Sequence, residues 1–180
     1  MSQGPSAPEP EYDDTAIRFL EVLWGEGYLS PGGPEEVDRI VDGIDFSGRT
    51  VLDIGCGTGG TTRAISRYTR GEGQATGVDI SEVMIEAARQ GAKKNGAEKV
   101  GVEFICADAE THDFGESRYD MLVSRFGIMF FEDSIKAFQN LRRAAATDAP
   151  GLFVAWRSPQ ENPFMTAAAR AAKTMVSLPQ

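Results

Sequence analysis

Four glycines and one acid stand together in Asp53-Ile-Gly-Cys-Gly-Thr-Gly-Gly60. Glycine lets a chain turn tightly and approach a ligand without Cβ clashes, and a glycine turn entering a helix presents unpaired N–H groups. Further polar residues recur where short apolar runs stop: Asp79 after "TGV", Asp108 after "FICA", and Ser124 with Arg125 after "MLV". Asp79 follows the turn at about the 20-residue spacing at which an acid meets ribose hydroxyls in nucleotide-binding α/β folds. Asp108 stands where a carboxylate can accept from an adenine amino group. The chemistry implied is the binding of an adenosine-containing cofactor.

These residues need a scaffold that brings strand ends to one edge. From Thr50 onward, short apolar runs alternate with helical periodicity, the pattern of a parallel sheet. The runs predict strands at Thr50–Ile54, Gln74–Asp79, Val102–Ala107, Tyr119–Ser124 and Leu152–Trp156. Helices are expected near Gly60–Arg70, Ser81–Asn95, Asp133–Thr147 and Asn162–Val176, with Ser81 as one N-cap and Ile135, Phe138, Leu141 and Ala145 at near-helical spacing. "VLDI" and "MLVS" lack polar alternation, as strands buried on both faces do. The fold class is α/β, Rossmann-like and doubly wound, with a mostly parallel sheet and helices on both faces. Upstream, Ala16, Phe19, Leu20 and Leu23 form an apolar stripe that ends at Gly25 and Gly27. Pro34, opening a second helix with Glu35 and Glu36 in its first turn, precedes the stripe Val37, Ile40, Val41 and Ile44. Residues 1–14, rich in Pro, Ser and acids, read as a mobile tail.

The glycines satisfy two fingerprints, a dinucleotide turn through Gly55, Gly57 and Gly60 and an S-adenosylmethionine turn through Asp53, Gly55, Gly57 and Gly59. Asp53 separates them. A carboxylate before the turn repels a pyrophosphate and attracts the ammonium of a methionine moiety.

The 180 residues, 41% hydrophobic, suffice for one core and not for two ordinary domains. A net charge of −9 argues against nucleic acid or an anionic membrane as the main partner, leaving small molecules. No run is long enough to span a membrane and no signal peptide is evident, so a cytoplasmic setting is expected. Two cysteines and one histidine at unrelated positions offer no metal site. Cys106, in an apolar run, reads as a small core residue, and Cys56 as the small side chain the turn requires.

With these residues in hand, "VLDIGCGTGG", "GVDIS", "FICADAE" and "YDMLVSRFGIMFF" resemble, in order and spacing, the class I S-adenosylmethionine-dependent methyltransferases. The resemblance implies that Asp53, Gly55, Cys56, Gly57 and Gly59 line the methionine and ribose side, that Asp79 and Ile80 hold the ribose and adenine edge, that Asp108 and Ala109 hold the adenine, and that Ser124 and Arg125 close the near side. "YDDTAIRFLEVLWGEGYLSPGG" is similar to the N-terminal lid of phosphoethanolamine and related small-amine N-methyltransferases. That likeness implies a lid over residues 15–48, with Tyr12, Tyr28 and Ser30 over the cofactor, and a cofactor-binding domain over 49–180. In that family the lid tyrosine works with a histidine after the fourth strand, in a stretch of the form "SRDAILH"; here "SRFGIMF" puts Phe126 in place of the acid and Phe130 in place of the histidine, so the amine-specific tyrosine–histidine pair is absent. The later segment resembles UbiE-like methyltransferases. The family's closing antiparallel strand pair has no counterpart before Gln180, so either the chain is a shortened product or a partner supplies that edge; in both cases the exposed sheet edge is an expected association site, through which a homodimer could form.

The expected reaction is methyl transfer to a small-molecule acceptor through a nitrogen, oxygen or carbon nucleophile. Tyr12, His112 and Asp108 are the candidate bases should the nucleophile arrive protonated. Phe126, Phe130, Phe131 and Trp156 are candidates for an apolar acceptor pocket or for ordinary core packing. Two alternatives stand beside this reading: a cofactor-binding domain impaired in transfer, and an NAD-dependent oxidoreductase.

Overall fold

The computed structural model describes residues 13–97, 101–162 and 166–167. Its elements are α1 (Asp14–Trp24), α2 (Gly33–Val41), β1 (Thr50–Ile54), α3 (Gly60–Tyr68), β2 (Gln74–Asp79), α4 (Glu82–Lys94), β3 (Val102–Cys106), β4 (Met121–Arg125), α5 (Ser134–Ala144) and β5 (Gly151–Val154). A single 3-10 turn, Gly127–Phe130, follows β4. The helix expected over Asn162–Val176 lies almost wholly outside the described residues.

Among the described residues all strand pairings are parallel and the order is β3-β2-β1-β4-β5. In a sheet wound this way the order reverses between β1 and β4, and the crevice beyond their carboxyl ends is where ligands bind. Side chains of successive strand residues point to opposite faces. Val51, Ala75, Met121 and Val123 therefore meet Ala64 and Ile65 of α3 and Val37 and Val41 of α2 on one face. Leu52, Ile54, Val78 and Leu122 meet Leu141 and Ala144 of α5 on the other. A third cluster joins Ile85, Ala88 and Ala92 of α4 to Phe104 of β3.

β1 and β2 run as the sequence predicts. The expected fourth strand starts two residues later, because Tyr119 makes only an isolated bridge to Ala145 and the ladder with β1 opens at Met121. The fifth is displaced toward its N-terminus and runs Gly151–Val154, its register set by β4. Edge position also corrects the reading of Cys106, which is exposed at the end of β3 rather than in the core. Ser81 caps α4 by accepting from Met84 N, as expected. Asp13 caps α1 by accepting from Ala16 N, so Asp13 and Asp14, read as tail, open a helix.

The stripe of α1 is turned by one residue from its expected phase. Ile17 is buried and Leu20 and Trp24 are half-buried, whereas Phe19 and Leu23 face outward. On α5 the buried face is Ala137, Leu141 and Ala144, and Ile135 is exposed.

Candidate functional site

The glycine turn wraps the end of β2. Gly55 N and Cys56 N both donate to Val78 O, at 2.8 and 3.0 Å, and Gly57 N donates to Asp79 Oδ2 at 2.9 Å. The other Asp79 oxygen accepts from Ser81 N at 2.9 Å. Asp79 thus orients the turn and the start of α4 together. Gly55, Gly57 and Gly59 all have positive φ, a region costly for side-chain-bearing residues. Their surroundings differ. A Cβ on Gly55 would strike Gly127 Cα, and one on Gly59 would lie 2.6 Å from the Phe104 ring, whereas one on Gly57 would meet only Leu29 and Met84 side-chain atoms at 3.8 Å.

Asp53 is buried beneath this turn and accepts a 2.6 Å hydrogen bond from Thr62 Oγ1 in the first turn of α3. Burial pushes its carboxyl up to about 7; the Thr62 bond opposes the rise, Asp79 adds to it and Arg125 lowers it. Burial, with Asp53 and Asp79 nearby, also raises the Cys56 thiol well above its ordinary value. Cys56 is therefore a packed, protonated side chain.

Ile80, next after Asp79, is 73% exposed, an uncovered apolar surface at the end of β2. Asp108 is half-buried, and its oxygens accept from Glu110 N and Thr111 Oγ1 at 2.8 and 3.3 Å. The loop carrying Ala109 is tied to α5 by Asn140 Nδ2, which donates to Ala109 O and His112 O at 3.0 and 2.8 Å. The His112 ring stands edge-on to Phe114 at 4.8 Å.

On the near side, Ser124 is fully buried; its hydroxyl donates to Ile54 O at 2.7 Å and accepts from Ile128 N at 3.2 Å. The Arg125 side chain turns toward the loop between α1 and α2, reaching Glu36 and the carbonyls of Ser30 and Pro31. Tyr28 packs within the core, its hydroxyl 3.4 Å from Gly60 O, while Gly60 N donates to Gly27 O. Tyr12 lies outside the described residues.

The four aromatic candidates divide. Phe126 and Trp156 stack at 4.5 Å, Phe131 packs edge-on to Phe138 of α5, and Phe130 projects outward. Phe126 is held at φ 71°, an uncommon state for a bulky residue. Sequence reasoning missed Thr62, Glu36 and Gly127, each of which touches a recognised residue from a distant segment or an adjoining helix. Only Gly127 carried a local signal, a glycine just after the fourth apolar run.

A cleft of about 600 Å³ opens between α1 and α4, lined by Ile17, Glu21, Arg63, Glu86 and Lys94 among others. It shares only Thr58 with the glycine turn, and its charges are mixed. The strand-end crevice, where the glycine turn, the buried Asp53, the half-buried Asp79 and the uncovered Ile80 meet, is the better candidate. Among the described residues, no group of three or more His, Cys, Asp or Glu is placed to hold a metal ion.

A family model described as "Methyltransferase domain" matches residues 51–148. The chain belongs to this family, the class I S-adenosylmethionine-dependent methyltransferases. It is 34% identical over 131 residues to phosphoethanolamine N-methyltransferase 1 of Triticum aestivum, covering 72% of this chain and 25% of the relative. It is 30% identical to phosphoethanolamine N-methyltransferase of Plasmodium falciparum, covering 72% and 47%. The structure of Haemonchus contortus phosphoethanolamine N-methyltransferase 2 with S-adenosyl-L-methionine matches with a TM-score of 0.69 at 31% identity, covering 77% of this chain and 32% of that one. The same enzyme with phosphomonomethylethanolamine and S-adenosylhomocysteine matches with a TM-score of 0.73 at 28% identity, covering 87% and 37%. This methyltransferase chain thus spans between a quarter and about half of those relatives.

Proposed function

We propose that this chain binds S-adenosylmethionine at the carboxyl edge of β1, β2 and β3 and takes part in methyl transfer to a small-molecule acceptor. The observation that carries the reading is the buried Asp53 carboxylate beneath a glycine turn whose Gly57 N–H is held by Asp79. An inward acid suits an ammonium and disfavours a pyrophosphate. The residues present fit the cofactor: Gly57 leaves open the space a side chain would fill, Asp79 can accept from ribose hydroxyls, and Ile80 offers an apolar face to an adenine. Cys56 and Gly59 keep the turn compact, Asp108 and Ala109 flank the adenine, and Tyr28 and Ser30 belong to the covering lid. The Ser124 hydroxyl is engaged by Ile54 O, so Ser124 contributes through its backbone, while the Arg125 side chain is directed to Glu36 and the loop before α2.

When bound, S-adenosylmethionine supplies an electrophilic methyl carbon with a thioether leaving group. What the chain must do is hold an acceptor in line and keep water out; positioning of this kind supplies about 7–11 kcal/mol. Neither Phe126 nor Phe130 can take a proton, so the reading favours an acceptor other than a protonated amine handled at that position. If a base is required, His112, Asp108 or Tyr12 would provide it. A cytoplasmic setting belongs to the same reading, supported by two unpaired thiols. A second copy across the β5 edge is supported by that strand's pairing with β4 alone among the described residues; sedimentation would test it. Among the described residues no helix is long and apolar enough to cross a membrane.

S-adenosylhomocysteine at millimolar concentration should raise the melting temperature, and NAD(H) should not. No shift with the former, or protection by the latter, would overturn the cofactor reading. Binding without methyl transfer to any member of a small-metabolite panel would instead favour a cofactor-binding domain impaired in transfer.

A further inference from the structure

Arg125 ends β4, yet its side chain is spent on a segment about 90 residues earlier. Its Nε lies 2.7 Å from Glu36 Oε2, and its Nη2 donates to Pro31 O at 2.8 Å and reaches Ser30 O at 3.5 Å. The guanidinium also sits 4.9 Å from the Phe126 ring centroid and 5.8 Å from that of Tyr28. Only 8% of the Arg125 side chain is exposed, against 25% for Glu36. The loop between α1 and α2 is shaped to allow this. Gly32 has φ +102°, and a Cβ there would lie 2.6 Å from both Glu36 Cβ and Cδ. A residue other than glycine would push the carboxylate from its partner.

The far end of the contact is held in the sheet. Ser124 ties β4 to Ile54 of β1, beside the glycine turn. The loop before α2 reaches the glycine turn: a Cβ on Gly57 would lie 3.8 Å from Leu29 Cδ1, and Gly60 N donates to Gly27 O, so the joined ends of β1 and β4 and this loop flank the strand-end crevice. We propose that Arg125 and Glu36 form a latch that closes this loop over the crevice and sets how long the nucleotide stays bound. Arg125 is a positioning residue in this scheme, because its guanidinium acts through the loop. Removing one partner of a poorly solvated ion pair leaves the other uncompensated, so the loss exceeds that of a surface pair. An open loop lowers apparent affinity in proportion to the closed fraction.

The proposal rests on the cofactor reading, and its test separates the two. Wild-type protein that fails to bind S-adenosylhomocysteine sinks the cofactor reading, while hydrogen exchange in the ligand-free protein still reports the latch. Glu36→Ala is expected to speed release of S-adenosylhomocysteine about tenfold, the scale of a lid moving from closed to mostly open. Amides of residues 26–33 should exchange faster while those of β1 and β2 keep their wild-type rates. Glu36→Gln, which keeps an acceptor oxygen for Arg125 Nε, should fall between the two. Unchanged release and exchange in Glu36→Ala would overturn the latch. So would loss of protection spread equally over β1 and β2, which is the mark of a merely structural contact.

Discussion

Thr62 Oγ1 donates a 2.6 Å hydrogen bond to Asp53 Oδ2, and this is the one side-chain hydrogen bond the buried carboxylate receives among the described contacts. The bond favours the ionised form, while burial and Asp79 favour the protonated one, and the balance leaves the carboxyl at about 7. Between the unfolded value near 3.8 and about 7 the native chain holds a proton that the unfolded chain has released. Stability from this group is therefore greatest at low pH and declines as pH rises through that window. Asp53→Asn should flatten that part of the stability profile in urea melts between pH 4.5 and 8. An ammonium brought near Asp53 stabilises the carboxylate, so S-adenosylhomocysteine binding near pH 6 should release a proton. Calorimetry in buffers of different ionisation enthalpy reads it, and equal release by Asp53→Asn would remove the basis for the charge argument.

Thr62→Val keeps the shape and removes the bond. The carboxyl should rise further, and affinity for S-adenosylhomocysteine at pH 7 should fall by about tenfold, the scale of a hydrogen bond to a charged group. Titrations at pH 7 and 8.5 check this, since the loss should narrow at the higher pH.

The glycines should part company under alanine substitution. Gly55→Ala drives a Cβ into the Gly127 backbone from a positive-φ position and should cost about 2 kcal/mol or more. Gly57→Ala meets only ordinary contacts, so its cost should be about 1–2 kcal/mol from φ alone, with cofactor binding lost more than stability. Denaturant melts paired with ligand titration separate the two effects; equal stability losses would contradict the assignment of Gly57 to the ligand side.

Thiol labelling of the folded protein should modify Cys106 within minutes and leave Cys56 untouched. Cys106 is exposed, whereas Cys56 is buried with its thiol held protonated. Mass spectrometry after brief alkylation reads the outcome, and labelling of Cys56 at a comparable rate would mean that the turn opens readily.

Asn140→Ala should loosen the loop proposed to hold the adenine. It removes both donations to Ala109 O and His112 O and should cost about 1–2 kcal/mol. Weaker S-adenosylhomocysteine binding is expected beyond that stability loss, and unchanged affinity would detach this loop from the site.

Much of the sheet could be read because β1 and β2 are covered on both faces, which leaves uninterrupted apolar runs with polar residues only at their ends. The strand-end acids were legible for the same reason. The phase of α1 was not, since Ile17, Phe19, Leu20, Val22, Leu23 and Trp24 supply two overlapping stripes and only contact with the rest of the fold chooses between them. Tyr119 is a good strand former and drew the predicted start of β4 too early, but pairing with β1 decides where a ladder begins. Glu36 looked like a helix-dipole acid because its partner is 89 residues away. A side chain directed to so distant a segment leaves no local trace.

Parallel pairing of β1 with β4 sets an order on how the molecule comes into being. Thr50 N donates to Asp120 Oδ2 and Asp120 N donates back to Thr50 O, across 70 residues of intervening chain. β1 and β2 close over a much shorter loop and lose less chain entropy on meeting. The half carrying Asp53, Asp79 and the glycine turn can thus assemble early, while Ser124 and Arg125 arrive only with the long closure. A nascent chain would own the acids of the crevice before it owned the means to cover them.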